Sequence, residues 1–78
     1  MIKEIKMPRF DPVMEEGRIV QWLKAEGERV EKGEKIAIIE GEKTIFEFES
    51  PYEGKLVKVL KKAGEVAKVG EVIAILEE

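Results

Sequence analysis

The chain has 78 residues, with 17 acidic side chains against 14 basic ones, a net charge of −3, and neither His nor Cys. That length suits one domain near the lower limit for a self-sufficient core, without room for a substrate cleft and its catalytic shell. The missing residues remove the commonest general base, the thiol nucleophile, most zinc-ligand sets and any disulfide. Acidic and basic residues are interspersed, so there is no basic stripe for phosphate and nucleic acid is not an expected partner. No leader and no long apolar run is read, so no membrane association is expected, and a cytoplasmic location is the default. Charged residues make up 40%, nearly all Glu and Lys, with no Asn and a single Gln. That bias suits a protein from a hot environment, where ion-pair networks gain value and amides are a liability.

Short runs rich in Val, Ile, Leu and Phe predict strands, in chain order, over Ile2–Met7, Arg18–Lys24, Lys35–Glu40, Thr44–Ser50, Lys55–Leu60 and Val72–Glu77. Short bridging strands are expected near Arg29–Glu31 and Val66–Lys68. All seven glycines fall at predicted turns. No stretch sustains the i, i+3, i+4 apolar spacing of a helix.

The strands belong to a duplication. Residues 17–40 overlay residues 54–77 without a gap at an offset of 37, and 12 of the 24 pairs are identical, among them Gly17/Gly54, Gly27/Gly64, Gly33/Gly70, Ile36/Ile73 and Ile38/Ile75. Each copy alone would expose a hydrophobic face. The two are therefore expected to pack about an approximate twofold axis as an all-β, flattened barrel or sandwich of antiparallel strands. The domain reading is a single unit over 1–78, with repeat halves of about 2–40 and 45–77 and a hinge turn at 41–44. Ile38 is a core candidate. Trp22, which has Val59 at its repeat position, is read as core.

The repeat extends backwards with one irregularity. Gly17 follows Met7-Pro8 and Gly54 follows Ser50-Pro51, but the first gap is longer by about six residues, over roughly Arg9–Glu16. If the twofold relates the hinge to the chain ends, this longer loop should lie beside the hinge.

Lys43 lies in the only turn joining the copies, Glu40-Gly41-Glu42-Lys43-Thr44. A surface lysine among Glu40, Glu42, Glu47 and Glu49 is ordinarily a solvated side chain whose ion pairs carry little energy. Its central place in a turn at the symmetry hinge marks it out. No neighbouring group that would activate its amine is apparent, so its use is as an attachment point rather than as a nucleophile.

The order Met7-Pro8, Gly17, Trp22, Gly27, Val30, Gly33, Glu40-Gly41-Glu42-Lys43, Ser50-Pro51 and Gly54 resembles the lipoyl domains of 2-oxo acid dehydrogenase acyltransferases over essentially the whole chain. In that family the hairpin reads Glu-Thr-Asp-Lys-Ala or a close variant. Glu42 stands for the Asp, Gly41 for the usual Thr or Ser, and Thr44 for the usual Ala or Val. A glycine at 41 is expected to loosen the turn.

The resemblance implies two four-stranded sheets with quasi-twofold symmetry, and lipoate joined to Lys43 as a swinging arm. The arm would be installed by a lipoate ligase or lipoyl transferase. It would be reductively acylated by a thiamin-diphosphate-dependent 2-oxo acid dehydrogenase, deacylated by an acyltransferase core and reoxidised by dihydrolipoamide dehydrogenase. The domain itself would not be an enzyme. Recognition is expected at Arg9, Phe10, Asp11, Val13, Met14, Glu15 and Glu16. Glu40, Gly41, Glu42 and Thr44 would form the turn read by the modifying enzyme. Glu40 and Glu42 also read as solvated acids, and Phe10 or Met14 as covers for the core edge.

Biotinyl carrier domains share the fold and the hinge lysine, but usually flank it with Met, where this chain has Glu42 and Thr44. Glycine-cleavage carrier proteins are longer, with added helical elements. Unmodified modules of the same fold lack the hinge lysine.

Overall fold

The computed structural model describes residues 1–78 as eight strands and no helix: β1 (Ile2–Lys6), β2 (Glu16–Trp22), β3 (Arg29–Val30), β4 (Lys35–Glu40), β5 (Ile45–Glu49), β6 (Gly54–Val59), β7 (Val66–Lys68) and β8 (Val72–Glu77). They make two antiparallel four-stranded sheets, ordered β1-β8-β6-β3 and β5-β4-β2-β7. The expected strands are all present: β4, β7 and β8 match the predicted bounds, β1, β3 and β5 fall one residue inside them, and β2 and β6 begin and end two residues and one residue earlier, respectively.

Neither sheet belongs to one repeat. The first copy sends β1 and β3 to one sheet and β2 and β4 to the other, and the second copy does the reverse. Registers repeat as well: β2 and β4 slip between Ile19 and Gln21, while β6 and β8 slip between Leu56 and Lys58, each 37 residues on. The bonds closing the two ends are also equivalent. Gly41 N–H donates to the Thr44 carbonyl at 2.8 Å, and Glu78 N–H donates to the Met1 carbonyl at 3.0 Å. The hinge and the chain termini therefore occupy corresponding poles of a body 33 Å long and 20 × 18 Å across.

Between the sheets lies a core of 14 buried apolar residues, including Ile5, Ile19, Ile36, Ile39, Leu56, Ile73 and Leu76. The bulge geometry changes which residues face it. In β4, Ile36, Ala37 and Ile39 are buried, whereas Ile38 points to the outer face and is half-buried, so it is not a core residue. Trp22, expected in the core, is half-buried and packs against it from outside the buried cluster, and its indole N–H donates to the Lys61 carbonyl at 2.8 Å. Gly17 and Gly54 lie within β2 and β6 rather than in turns. Gly17 serves close approach: a Cβ there would sit 2.9 Å from Ile39 Cγ2 and 2.9 Å from Met14 Cε.

The exposed glycine turns are tied down by repeated ion pairs. Glu34 accepts from Lys24 at 2.8 Å and from the Glu31 amide at 2.9 Å. Its symmetry mate Glu71 accepts from Lys61 at 3.1 Å and from the Lys68 amide at 2.9 Å.

Two tests follow from this packing. Ile39→Ala should cost about 2–5 kcal/mol in urea unfolding, and Ile38→Ala clearly less, because only the first opens a cavity. The bond from Lys24 holds the Glu34 carboxyl below its ordinary range, as the Lys68 amide and Lys61 do for Glu71. A carboxylate depressed in the folded state stabilises above its unfolded pKa of about 4.3 and loses that contribution as pH falls through the folded value. Thermal midpoints should therefore drop on acidification below about pH 4.3. A Glu34→Gln, Glu71→Gln variant should show a shallower drop over the same window.

Candidate functional site: a hairpin tip with one free amine

β4 and β5 run antiparallel up to the pair Glu40↔Ile45. Beyond it the Gly41–Thr44 backbone bond closes the turn and leaves Glu42 and Lys43 at the apex. Lys43 is exposed and enters none of the six ion pairs of the domain. Glu42 and Thr44 are exposed beside it. Glu40 is half-buried and receives the Arg18 guanidinium, whose Nε lies 3.1 Å from its carboxylate. Glu47 pairs with Lys35 at 2.9 Å. No group of three or more acidic side chains is arranged to hold a metal ion.

The longer loop, residues 7–15 between β1 and β2, does lie beside the hinge. A groove runs between them, lined by Val13, Glu15 and Glu16 on one side and by Glu40, Gly41 and Glu42 on the other. The loop is internally braced. Arg9 donates to the Met14 carbonyl at 2.6 Å, the Asp11 carboxylate accepts from the Val13 amide at 2.9 Å, and the Met14 amide reaches the Asp11 carbonyl at 3.2 Å.

Two of the seven expected recognition residues point elsewhere. Met14 is 2% exposed and belongs to the core, so it offers a partner no side-chain surface. Phe10 is half-buried and packs on the core edge. Apolar side chains on a small domain gain more from the nearest seam than from water, and the loop is short enough to deliver both. Val13 (68% exposed), Arg9, Glu15 and Glu16 remain accessible, and Asp11 is half-buried.

Gly41 is absent from the glycines with positive φ, and its N–H donates to the Thr44 carbonyl. What glycine supplies is space, since a Cβ at 41 would lie 3.0 Å from Phe46 Cε2. Phe46 and Arg18 are the residues that sequence reasoning passed over. The alternation in Ile45-Phe46-Glu47-Phe48 already put Phe46 on the inner face with Phe48. The Arg18↔Glu40 pairing depends on the register of β2 against β4, which no local pattern shows.

A closed β tip bearing one unpaired amine, built on a duplicated pair of interlocked sheets, defines an attachment-type carrier domain. The family model Biotin_lipoyl, described as "Biotin-requiring enzyme", matches residues 3–76, and the chain belongs to that family. Within it the likeness is to lipoyl domains. The solution structure of the lipoyl domain of the 2-oxoglutarate dehydrogenase complex from Azotobacter vinelandii superposes with a TM-score of 0.76 at 31% identity, covering 96% of this chain and 95% of that one. Component 4 of the chloroplastic dihydrolipoyllysine-residue acetyltransferase of the pyruvate dehydrogenase complex from Arabidopsis thaliana is 42% identical over 52 residues, 67% of this chain and 11% of that protein. The corresponding acetyltransferase component from Rickettsia prowazekii is 49% identical over 47 residues, 60% of this chain and 12% of its own length. The chain thus spans about a tenth of these curated relatives. These likenesses favour the lipoyl reading over the biotinyl one.

Because the Lys43 side chain carries no ion pair and covers no core, Lys43→Ala should change unfolding free energy by less than about 0.5 kcal/mol, measured by urea denaturation. A larger loss would make the side chain structural.

Proposed function

We propose that Lys43 is the lipoate acceptor and that the domain carries acyl groups between the active sites of a 2-oxo acid dehydrogenase complex. The observation that carries this reading is the free Lys43 amine, projected by a turn whose backbone is closed at 2.8 Å. The residues fit the group: forming an amide at Nζ removes a charge that pairs with nothing here, so no buried or bonded partner is orphaned. Bound lipoate supplies a dithiolane able to accept and release an acyl group.

The chain's own part is positional. A rigid tip tethered to the rest of the assembly keeps the arm at high effective concentration near each active site. The partners in this proposal are a lipoate ligase or lipoyl transferase, a thiamin-diphosphate-dependent dehydrogenase, an acyltransferase core and dihydrolipoamide dehydrogenase. Glu40, Glu42 and the exposed loop residues Arg9, Val13, Glu15 and Glu16 form the surface these enzymes meet. That face is largely acidic around the amine, and Arg18 neutralises Glu40 within it.

The flanking residues support lipoate over biotin, since neither Glu42 nor Thr44 is Met. Incubation with lipoate ligase, lipoate and ATP should add one lipoyl group to the intact mass of the wild type and none to Lys43→Arg. A gain that persists in the variant, or a gain with biotin ligase alone, would reject the assignment.

A further inference from the structure

The loop and the hinge turn are joined by an aromatic contact that neither repeat predicts. The Phe10 ring from the loop stacks on Phe46 of β5 with centroids 4.3 Å apart and planes at 4°. It also meets Phe48 edge-on at 6.2 Å and 86°, and Phe48 is part of the buried core. Phe46 in turn fills the space beside Gly41, two residues from Lys43. The chain of contact therefore runs from the core through Phe48, Phe10 and Phe46 to the backbone of the lysine turn.

We propose that Phe10, Phe46 and Gly41 act as one positioning unit, which sets the recognition loop at a fixed place relative to the Lys43 tip. Gly41 is then a specificity-determining residue through its lack of a side chain. A hydroxyl-bearing residue at 41, as in the resembled lipoyl hairpins, would press on the Phe46 ring and shift the stack, and the loop with it. The braces at Arg9 and Asp11 make the loop move as a body. An error at 41 would thus be transmitted to Val13, Glu15 and Glu16 rather than absorbed locally. The loop's role in recognition rests on the function proposed above, whereas the mechanical coupling does not.

Amide hydrogen exchange at Val13 and Met14, read by NMR on the intact chain, tests the coupling without any modification. Phe10→Leu should speed exchange there roughly three- to tenfold, the rate equivalent of losing an aromatic pair, and Gly41→Ser should speed it measurably but by less, since it displaces the ring without deleting it. In a Phe46→Val background, adding Gly41→Ser should produce no further change, because the ring it presses on is gone. Unchanged exchange in Gly41→Ser, or an equal effect in both backgrounds, would overturn the unit. With lipoylated protein and a thiamin-diphosphate-dependent dehydrogenase, Phe10→Leu should raise KM for the domain about tenfold and leave kcat unaltered, since the misplaced loop weakens binding and not chemistry. A fall in kcat with unchanged KM would count against the positioning role. If Lys43 takes no lipoate while the exchange results hold, the function falls and the coupling stands.

Discussion

Mutual burial of the two repeat copies is the constraint on which the rest of the molecule depends. Each copy contributes strands to both sheets, so no sheet exists until both copies are in place. Ile19 and Leu56, Ile36 and Ile73, Ile39 and Leu76 are repeat-related pairs, and every one of them is fully or almost fully buried. A chain this short has little apolar surface to spare. Interlocking brings 14 buried apolar residues together between the sheets, while Val13 and Ile45 are among the large apolar side chains left exposed. The loops nonetheless differ between copies, and the longer one adds Met7 and Met14 to the core.

The tip stands directly on that seam. β4 is a central strand, paired to β2 on one side and β5 on the other, and Ile39 anchors it one residue before Glu40. The turn needs only four residues and one backbone bond to close, because the strands beneath it are already fixed. At the opposite pole the same bond is made between the two ends of the chain. The duplication turns one of two equivalent poles into a continuous hairpin with an exposed lysine at its apex.

Asymmetry enters where the copies differ. Nine residues join β1 to β2 and four join β5 to β6, and the extra length folds over the lysine pole rather than the terminal one. That loop carries both a structural and an accessible set of residues, and composition does not separate them. Met14 and Val13 are adjacent and both apolar, yet one is buried and the other is 68% exposed. Only the direction of the loop backbone as it passes over the seam divides them. The Phe10–Phe46 stack is of the same kind, a contact between a loop and a strand 36 positions apart.

The 37-residue repeat, its glycine punctuation and the period-two apolar pattern were enough to establish an all-β sandwich, eight strands, a loop of excess length and a single lysine at the hinge. These are readable because they rest on local alternation and on identity between copies, both of which are written along the chain. Tertiary structure alone decided that Ile38 faces outward while Ile36, Ala37 and Ile39 face inward, that Met14 is core, that Arg18 meets Glu40, and that Gly41 yields room to Phe46. The physical reason is common to all four. A bulge displaces the alternation by one residue, and cross-strand or loop-to-strand contacts depend on register, which packing of the whole core selects and no short segment encodes.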